Sequence, residues 1–182
     1  FPTRRSSDLT FDERGRLLTG ADIPGAVAML EGLGVTALGL NCGREPTALM
    51  DNVRVLAACS ALPFFVQPNA SLPVVVDGKT EFPTSPEDFA RDMLPMVPLG
   101  VCALGGCCGT TPEHIAHLVS ATRECAIVSR ETSPRCVISG RTQSLSLDDG
   151  PLIIGERLNP TGKKRLKQAL REGDMDAVMR EA

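Results

Sequence analysis

Tryptophan and tyrosine are absent from this chain, and six phenylalanines bring its aromatic content to only 3% of 182 residues. It has almost no rings on which bases could stack, and its 19 Lys and Arg against 22 Asp and Glu leave a net charge of −3. Nucleic acid, which needs a basic field to neutralise phosphates, is thereby excluded as a partner. Long apolar runs are missing too. The longest uncharged stretch, Met93 to Pro112, is interrupted by Pro95, Pro98 and four glycines, whereas a bilayer helix needs about 20 consecutive apolar residues. No membrane partner is expected.

What is present describes a folded, water-facing protein. Hydrophobic residues at 42% with 23% charged exceed what a disordered chain carries, and a chain of this length buries roughly 70% of its unfolded surface. Seven cysteines, an odd number, without a secretory leader at the start, predict a reducing compartment, the cytoplasm, with thiols free for metal or catalysis. Residues 1–9, Phe1 to Leu9, resemble the in-frame translation of a sequencing-adapter oligonucleotide and are set aside as a non-native tail. A genuine basic, Ser-containing tail fits the composition equally.

Beyond the tail, helical and strand patterns alternate. Asp22 and Pro24 open a helix over Ala21–Leu33 that ends among glycines, and Val35–Leu40 follows as an apolar run typical of a parallel strand buried on both faces. Pro46–Ala61 predicts the next helix and Phe64–Gln67 the next strand. A polar loop spans Pro68 to Ser85. Ser85, with Glu87 and Asp88 in the first turn, caps a helix from Pro86 to about Val97. Val101–Leu104 predicts a third strand, and Thr111-Pro112-Glu113 starts a helix running to about Val128. Strand-then-helix units in series predict an α/β fold with a parallel sheet; a barrel and an open doubly wound sheet both fit. Residues 129–150 are polar and turn-rich and predict a linker. Leu152–Ile154 predicts a new strand, and Lys163 to Glu181 a new amphipathic helix.

Two strand ends carry the chemistry: Gly39-Leu40-Asn41-Cys42-Gly43 and Gly105-Gly106-Cys107-Cys108-Gly109-Thr110-Thr111-Pro112. Sites of α/β enzymes lie at this carboxyl edge, and one intervening strand-helix unit returns the chain to the same rim. Cys42, Cys107 and Cys108 can therefore converge. Three thiolates in a reduced protein favour zinc, with a fourth position left open. The spacing equally allows a buried small Cys42 and a chance vicinal pair.

Together, these two motifs, extended through Glu113-His114-Ile115 and joined by the Pro68-Asn69-Ala70 turn, resemble the homocysteine S-methyltransferase family. The resemblance covers about residues 20 to 128 and implies a (β/α)8 barrel of which these are the last three strand-helix units. It also implies zinc held by Cys42, Cys107 and Cys108, with Asn69 in the fourth position before substrate displaces it; a simple turn role suits Asn69 as well. The cysteines would be ligands, not nucleophiles, and no residue here is assigned as catalytic. A free alkyl thiol of pKa about 8.5 is only about 3% thiolate at pH 7, whereas zinc deprotonates a coordinating thiol outright, so the implied gain for homocysteine is roughly thirtyfold.

A second resemblance extends past the linker. Ile154-Gly155-Glu156-Arg157-Leu158-Asn159-Pro160-Thr161-Gly162-Lys163-Lys164 is similar to the opening strand and loop of the pterin-binding barrel that follows the homocysteine barrel in cobalamin-dependent members. It implies residues 10–128 as the end of a homocysteine-binding barrel and 151–182 as the start of a pterin-binding domain, with Glu156 and Asn159 contacting the pterin. Methyltetrahydrofolate would then be the donor, cobalamin the carrier on a domain of the same chain not included here, and homocysteine the acceptor. Such a fragment would be inactive alone. A family member using another methyl donor, or a structural zinc or thiol module without catalysis, remain alternatives.

The remaining candidates have packing explanations. His114 and His117, three apart on one helix with no further ligand cluster nearby, read as helix surface. Cys59 and Cys125 fall on helices and Cys102 within a strand, where packing is the default. Lys163, Lys164, Arg165 and Lys167 form a basic patch that reads as a solvated helix face.

Overall fold

Consecutive short apolar runs pair in chain order. The computed structural model describes residues 6–126, 128–132, 135–153 and 158–181 and divides into two units, Phe1–Asp148 and Asp149–Ala182. In the first, strands β1 (Ser6–Leu9), β2 (Ala37–Asn41), β3 (Phe64–Gln67) and β6 (Ala103–Leu104) form one sheet in the order β1-β2-β3-β6, every pair parallel. The expected α/β class with a parallel sheet is borne out. Helices α1 (Ile23–Gly32), α2 (Pro46–Cys59), α3 (Pro86–Met93) and α4 (Pro112–Thr122) alternate with these strands, each packing on the next. Right-handed crossovers between strands that neighbour in sequence put such helices on one face.

The pleat explains the core. Leu38, Leu40, Phe64 and Val66 alternate toward the helices and are buried with Val53, Leu56, Phe89 and Met93. On the other face the Phe65 ring lies against Gly39, where an added Cβ would come within 2.3 Å of it. Asp22 caps α1 by accepting the Gly25 N–H at 2.9 Å, and Ser85 Oγ caps α3 by accepting the Asp88 N–H at 3.1 Å. Each cap contributes about 1 kcal/mol.

Several elements differ from expectation for identifiable reasons. Ser6–Leu9, set aside with the tail, pairs with β2 along the free side of the sheet. The helix expected to reach Val97 gives way to a 3-10 segment over Leu94–Leu99, because Pro95 and Pro98 lack amide donors, and Gly100 ends it at φ 77°. Helix α4 stops at Thr122, where a tight Cys125 N–H to Thr122 carbonyl bond of 3.0 Å closes the last turn. The loop Pro68 to Ser85 contains an exposed hairpin, β4 (Val74–Val76) with β5 (Lys79–Glu81).

The stretch expected as a linker holds a second hairpin, β7 (Val137–Ser139) with β8 (Ser144–Ser146), which packs on α1. Asp22 accepts from the Ser144 N–H at 3.2 Å and from its hydroxyl at 3.3 Å, and Arg16 donates to the Thr142 carbonyl. Arg130 is anchored as well. Its guanidinium donates to the carbonyls of Ala57 in the last turn of α2 and of Ser60 and Leu62 just past its end, and lies 4.7 Å from the Phe64 ring centre.

In the second unit the single helix expected from Lys163 to Glu181 is two, α5 (Lys164–Glu172) and α6 (Met175–Glu181). Gly173 breaks it at φ 70°, and Asp174 restarts it by accepting the Ala177 N–H at 3.0 Å. Leu166, Ala169 and Val178 pack between the two. The strand expected over Leu152–Ile154 is not formed at its described residues: Leu152 and Ile153 are exposed and have no described strand to pair with. Residues 154–157, including Glu156, lie outside the described residues. No described helix is long and apolar enough to cross a membrane.

Candidate metal centre

Three neighbouring strands deliver three loops to the carboxyl edge of the sheet, and main-chain hydrogen bonds stitch those loops together. The Cys42 N–H donates to the Gln67 carbonyl at 2.9 Å and the Asn69 N–H to the Arg44 carbonyl at 3.0 Å, joining the ends of β2 and β3. The Cys107 N–H donates to the Pro68 carbonyl at 2.8 Å and the Ala70 N–H to the Cys108 carbonyl at 2.8 Å, joining β3 to β6. Cys42 is held at φ 63°, a left-handed conformation uncommon outside glycine. Its cost, of order 1–3 kcal/mol, is met by the surrounding hydrogen bonds.

The Cys107-Cys108 loop is built tightly. Thr110 closes it by donating through both its N–H, at 3.2 Å, and its hydroxyl, at 2.7 Å, to the Cys107 carbonyl. A Cβ at Gly106 would come within 2.4 Å of Thr110, and one at Gly109, itself at φ 78°, within 2.2 Å of Phe82. Glycine is required at both positions by close approach.

The expected convergence occurs. The Sγ atoms of Cys42 and Cys107 each lie 3.9 Å from that of Cys108, and all three fall within 4.8 Å of one another. Tetrahedral zinc with Zn–S bonds of about 2.3 Å sets its sulfurs ~3.8 Å apart. The donor set and spacing therefore fit this ion. Among the described residues it is the one such cluster found, and Cys108 is its exposed member, leaving the centre open to a further ligand.

The thiols are electrostatically unequal. Burial raises the Cys42 thiol, but hydrogen bonds from the Gly43 N–H, from Cys107 and Cys108 and from Asn69 outweigh it and hold Cys42 below its ordinary value. Burial, together with hydrogen bonds to Cys108 and Cys42, pushes Cys107 up to about 11. Cys42 therefore favours its thiolate more than Cys107 does.

Asn69 is 6% exposed and lies beside the thiols. Its side-chain carbonyl accepts the Cys108 N–H at 3.1 Å, and its amide also hydrogen-bonds to Cys42. In the second unit, exposed Asn159 accepts the Thr161 N–H at 3.0 Å, a local turn.

His114 overturns the surface reading: it is 5% exposed and packs edge-on to Phe89 with ring centres 5.5 Å apart. The available signal was Thr111-x-x-His114, a side chain at the third helical position able to reach back to the cap. His117 stays at the surface, 3.4 Å from Glu87. Cys102 and Cys125 are exposed, not packed as expected, because β6 is only two residues long and α4 ends early.

The fold and the cluster define a class: a parallel α/β protein with three cysteines on the carboxyl rim of its sheet placed so that they could hold a metal ion. A family model described as homocysteine S-methyltransferase matches residues 6–122. The chain belongs to the homocysteine S-methyltransferase family. It is 33% identical over 165 residues to a methionine synthase of Mycobacterium tuberculosis, covering 89% of this chain and 14% of that protein. A methionine synthase of Mycobacterium leprae is 33% identical over 170 residues, with the same coverage of 89% and 14%. The chain thus spans about one seventh of the length of these relatives.

Proposed function

We propose that this chain carries the zinc-binding end of a homocysteine-binding (β/α)8 barrel, followed by the start of a pterin-binding domain, of a cobalamin-dependent methionine synthase. The observation that carries the proposal is the 3.9 Å spacing of Cys42, Cys107 and Cys108 on the rim, read with the family to which the chain belongs. An all-parallel sheet in chain order, its helices packed successively, supports a barrel arc over a doubly wound sheet, whose strand order reverses. An apolar groove beside the free edge of β6, lined by Val101, Leu104, Ile115, Leu118 and Val119, suits a further strand-helix unit. Similarity over 89% of the chain must run well past residue 122, which supports one continuous two-domain reading.

In this reading Cys42, Cys107 and Cys108 hold zinc, which when bound would supply the Lewis acidity that lowers the pKa of the homocysteine thiol so that its proton is lost to solvent. The chain's own groups do the positioning: the stitched loops fix the three sulfurs, and Asn69 hydrogen-bonds to two of those residues or occupies the fourth position before substrate. The reaction forms a carbon–sulfur bond to homocysteine and breaks the bond from methyl to its carrier. Methyltetrahydrofolate as donor, cobalamin as carrier, and Glu156 and Asn159 as pterin contacts rest on the resemblance of residues 154–164. A location in the cytoplasm agrees with seven unpaired thiols.

The test is Cys107→Ser in the full-length protein bearing this segment. Loss of stoichiometric zinc together with methyl transfer to homocysteine is expected. Full activity without bound zinc would refute the assignment, and zinc bound with no methyl transfer in the parent protein would favour a structural metal module.

A further inference from the structure

We infer that His114 is a positioning residue for the Cys107-Cys108 loop, acting as the Nε2–H tautomer, and that it governs how tightly the thiol centre retains its metal. The inference rests on the zinc reading above but adds a residue that touches none of the three thiols. His114 stands at the third position of α4, whose cap, Thr111, follows Cys108 after only two residues. The Thr111 N–H donates to His114 Nδ1 at 3.2 Å, and the Thr111 hydroxyl lies 2.9 Å from the same nitrogen. An N–H can only donate, so Nδ1 is bare and the ring proton sits on Nε2. Nε2 in turn lies 3.1 Å from the Thr84 carbonyl, which can only accept.

The other side of this link returns to the same loop. Phe82, two residues before Thr84, fills the space that a side chain at Gly109 would need. The stretch 82–84 therefore grips the thiol loop twice, through Phe82 on Gly109 and through Thr84, His114 and Thr111 on its exit. The imidazole is buried with both nitrogens engaged, so no smaller group reproduces both bonds. Groups that orient metal ligands from behind typically change metal affinity by about 10- to 100-fold when removed.

The test uses the whole chain and three variants. His114→Asn retains a group able to accept from Thr111, His114→Gln retains reach toward the Thr84 carbonyl, and His114→Phe fills the site without either bond. Zinc transfer to a chromogenic chelator should be about tenfold faster or more in His114→Phe, and intermediate between parent and His114→Phe in His114→Asn and His114→Gln, each of which keeps one of the two bonds. Thermal unfolding followed in parallel separates loss of metal grip from loss of fold. Equal zinc release from parent and His114→Phe would overturn the inference, as would acceleration in His114→Asn matching that in His114→Phe. Failure of the parent chain to bind zinc would instead refute the zinc reading. The inference then stands or falls on capture of the reduced thiols by a trivalent arsenical, expected to be slower in His114→Phe than in the parent and His114→Asn; equal rates would overturn it.

Discussion

The Asn69 side-chain carbonyl accepts the main-chain N–H of Cys108 at 3.1 Å across 39 positions of sequence. One amide therefore ties the end of β3 to the loop beyond β6. Because it also hydrogen-bonds to Cys42, replacing it should disturb the thiols in a defined direction. In metal-free Asn69→Ala, Cys42 should lose a group that favours its thiolate, and its pH midpoint for alkylation should rise toward the ordinary value. Alkylation rate against pH, followed at Cys42 by mass spectrometry, reads this directly; an unchanged midpoint would mean the amide does not act on Cys42.

Alkaline stability should depend on a thiol remote from the metal centre. Burial, reinforced by Glu31, pushes Cys59 from an ordinary 9.0 up to about 11. A raised folded-state value contributes stability in full below about pH 9, and that contribution is lost as the pH rises through about 11. Cys59→Ala should flatten this part of the stability profile measured by urea unfolding. A slope identical to the parent's would exclude Cys59 as its source.

Arg130 lies in a stretch whose composition suggests only a polar connector, yet it satisfies three carbonyls at and just past the end of α2. Arg130→Met should destabilise the first unit by about 2–3 kcal/mol, at roughly 1 kcal/mol for each bond lost. Arg130→Lys should recover only part of this, since an ammonium lacks the planar fork that reaches several acceptors at once. Denaturant midpoints compared at constant slope decide it.

These examples mark what was legible in the sequence. The three thiols were readable because strand ends are signalled by local apolar runs, and because parallel strands with intervening helices must return to one rim. Pairing between distant polar groups was not. Nothing near Arg130 indicates that its partners lie about 70 residues earlier, and Ser144 gives no sign of Asp22. The break at Gly173 was visible in principle, but helical periodicity on both sides of it outweighed one residue. His114 was misread because an imidazole in a first turn is ordinarily solvated, whereas here residues distant in sequence, Thr84 and Phe89, cover it.

The hairpin β7–β8 offers a further check. Asp22 both caps α1 and holds Ser144, so Asp22→Ala should release the hairpin. Faster limited proteolysis between residues 137 and 146 is expected, with cleavage elsewhere little changed. Uniformly faster cleavage would point instead to general unfolding of α1.

Gly109→Ala combines two faults, a Cβ within 2.2 Å of Phe82 and a left-handed backbone at φ 78°. It should cost about 1–3 kcal/mol and weaken metal retention together with stability. Metal retention unaffected by this change would show that Phe82 does not set the shape of the thiol loop.

Each strand of the sheet pairs with the one made just before it, so a chain emerging from the ribosome can add every new unit to a finished edge. The thiols do not share that schedule. Cys42 is made first and waits, while its two companions arrive only after two helices, two strands of the sheet and a hairpin have been laid down. The cluster is therefore complete only once Cys107 and Cys108 have been made, and a chain halted before Cys107 would carry Cys42 without either of its companions.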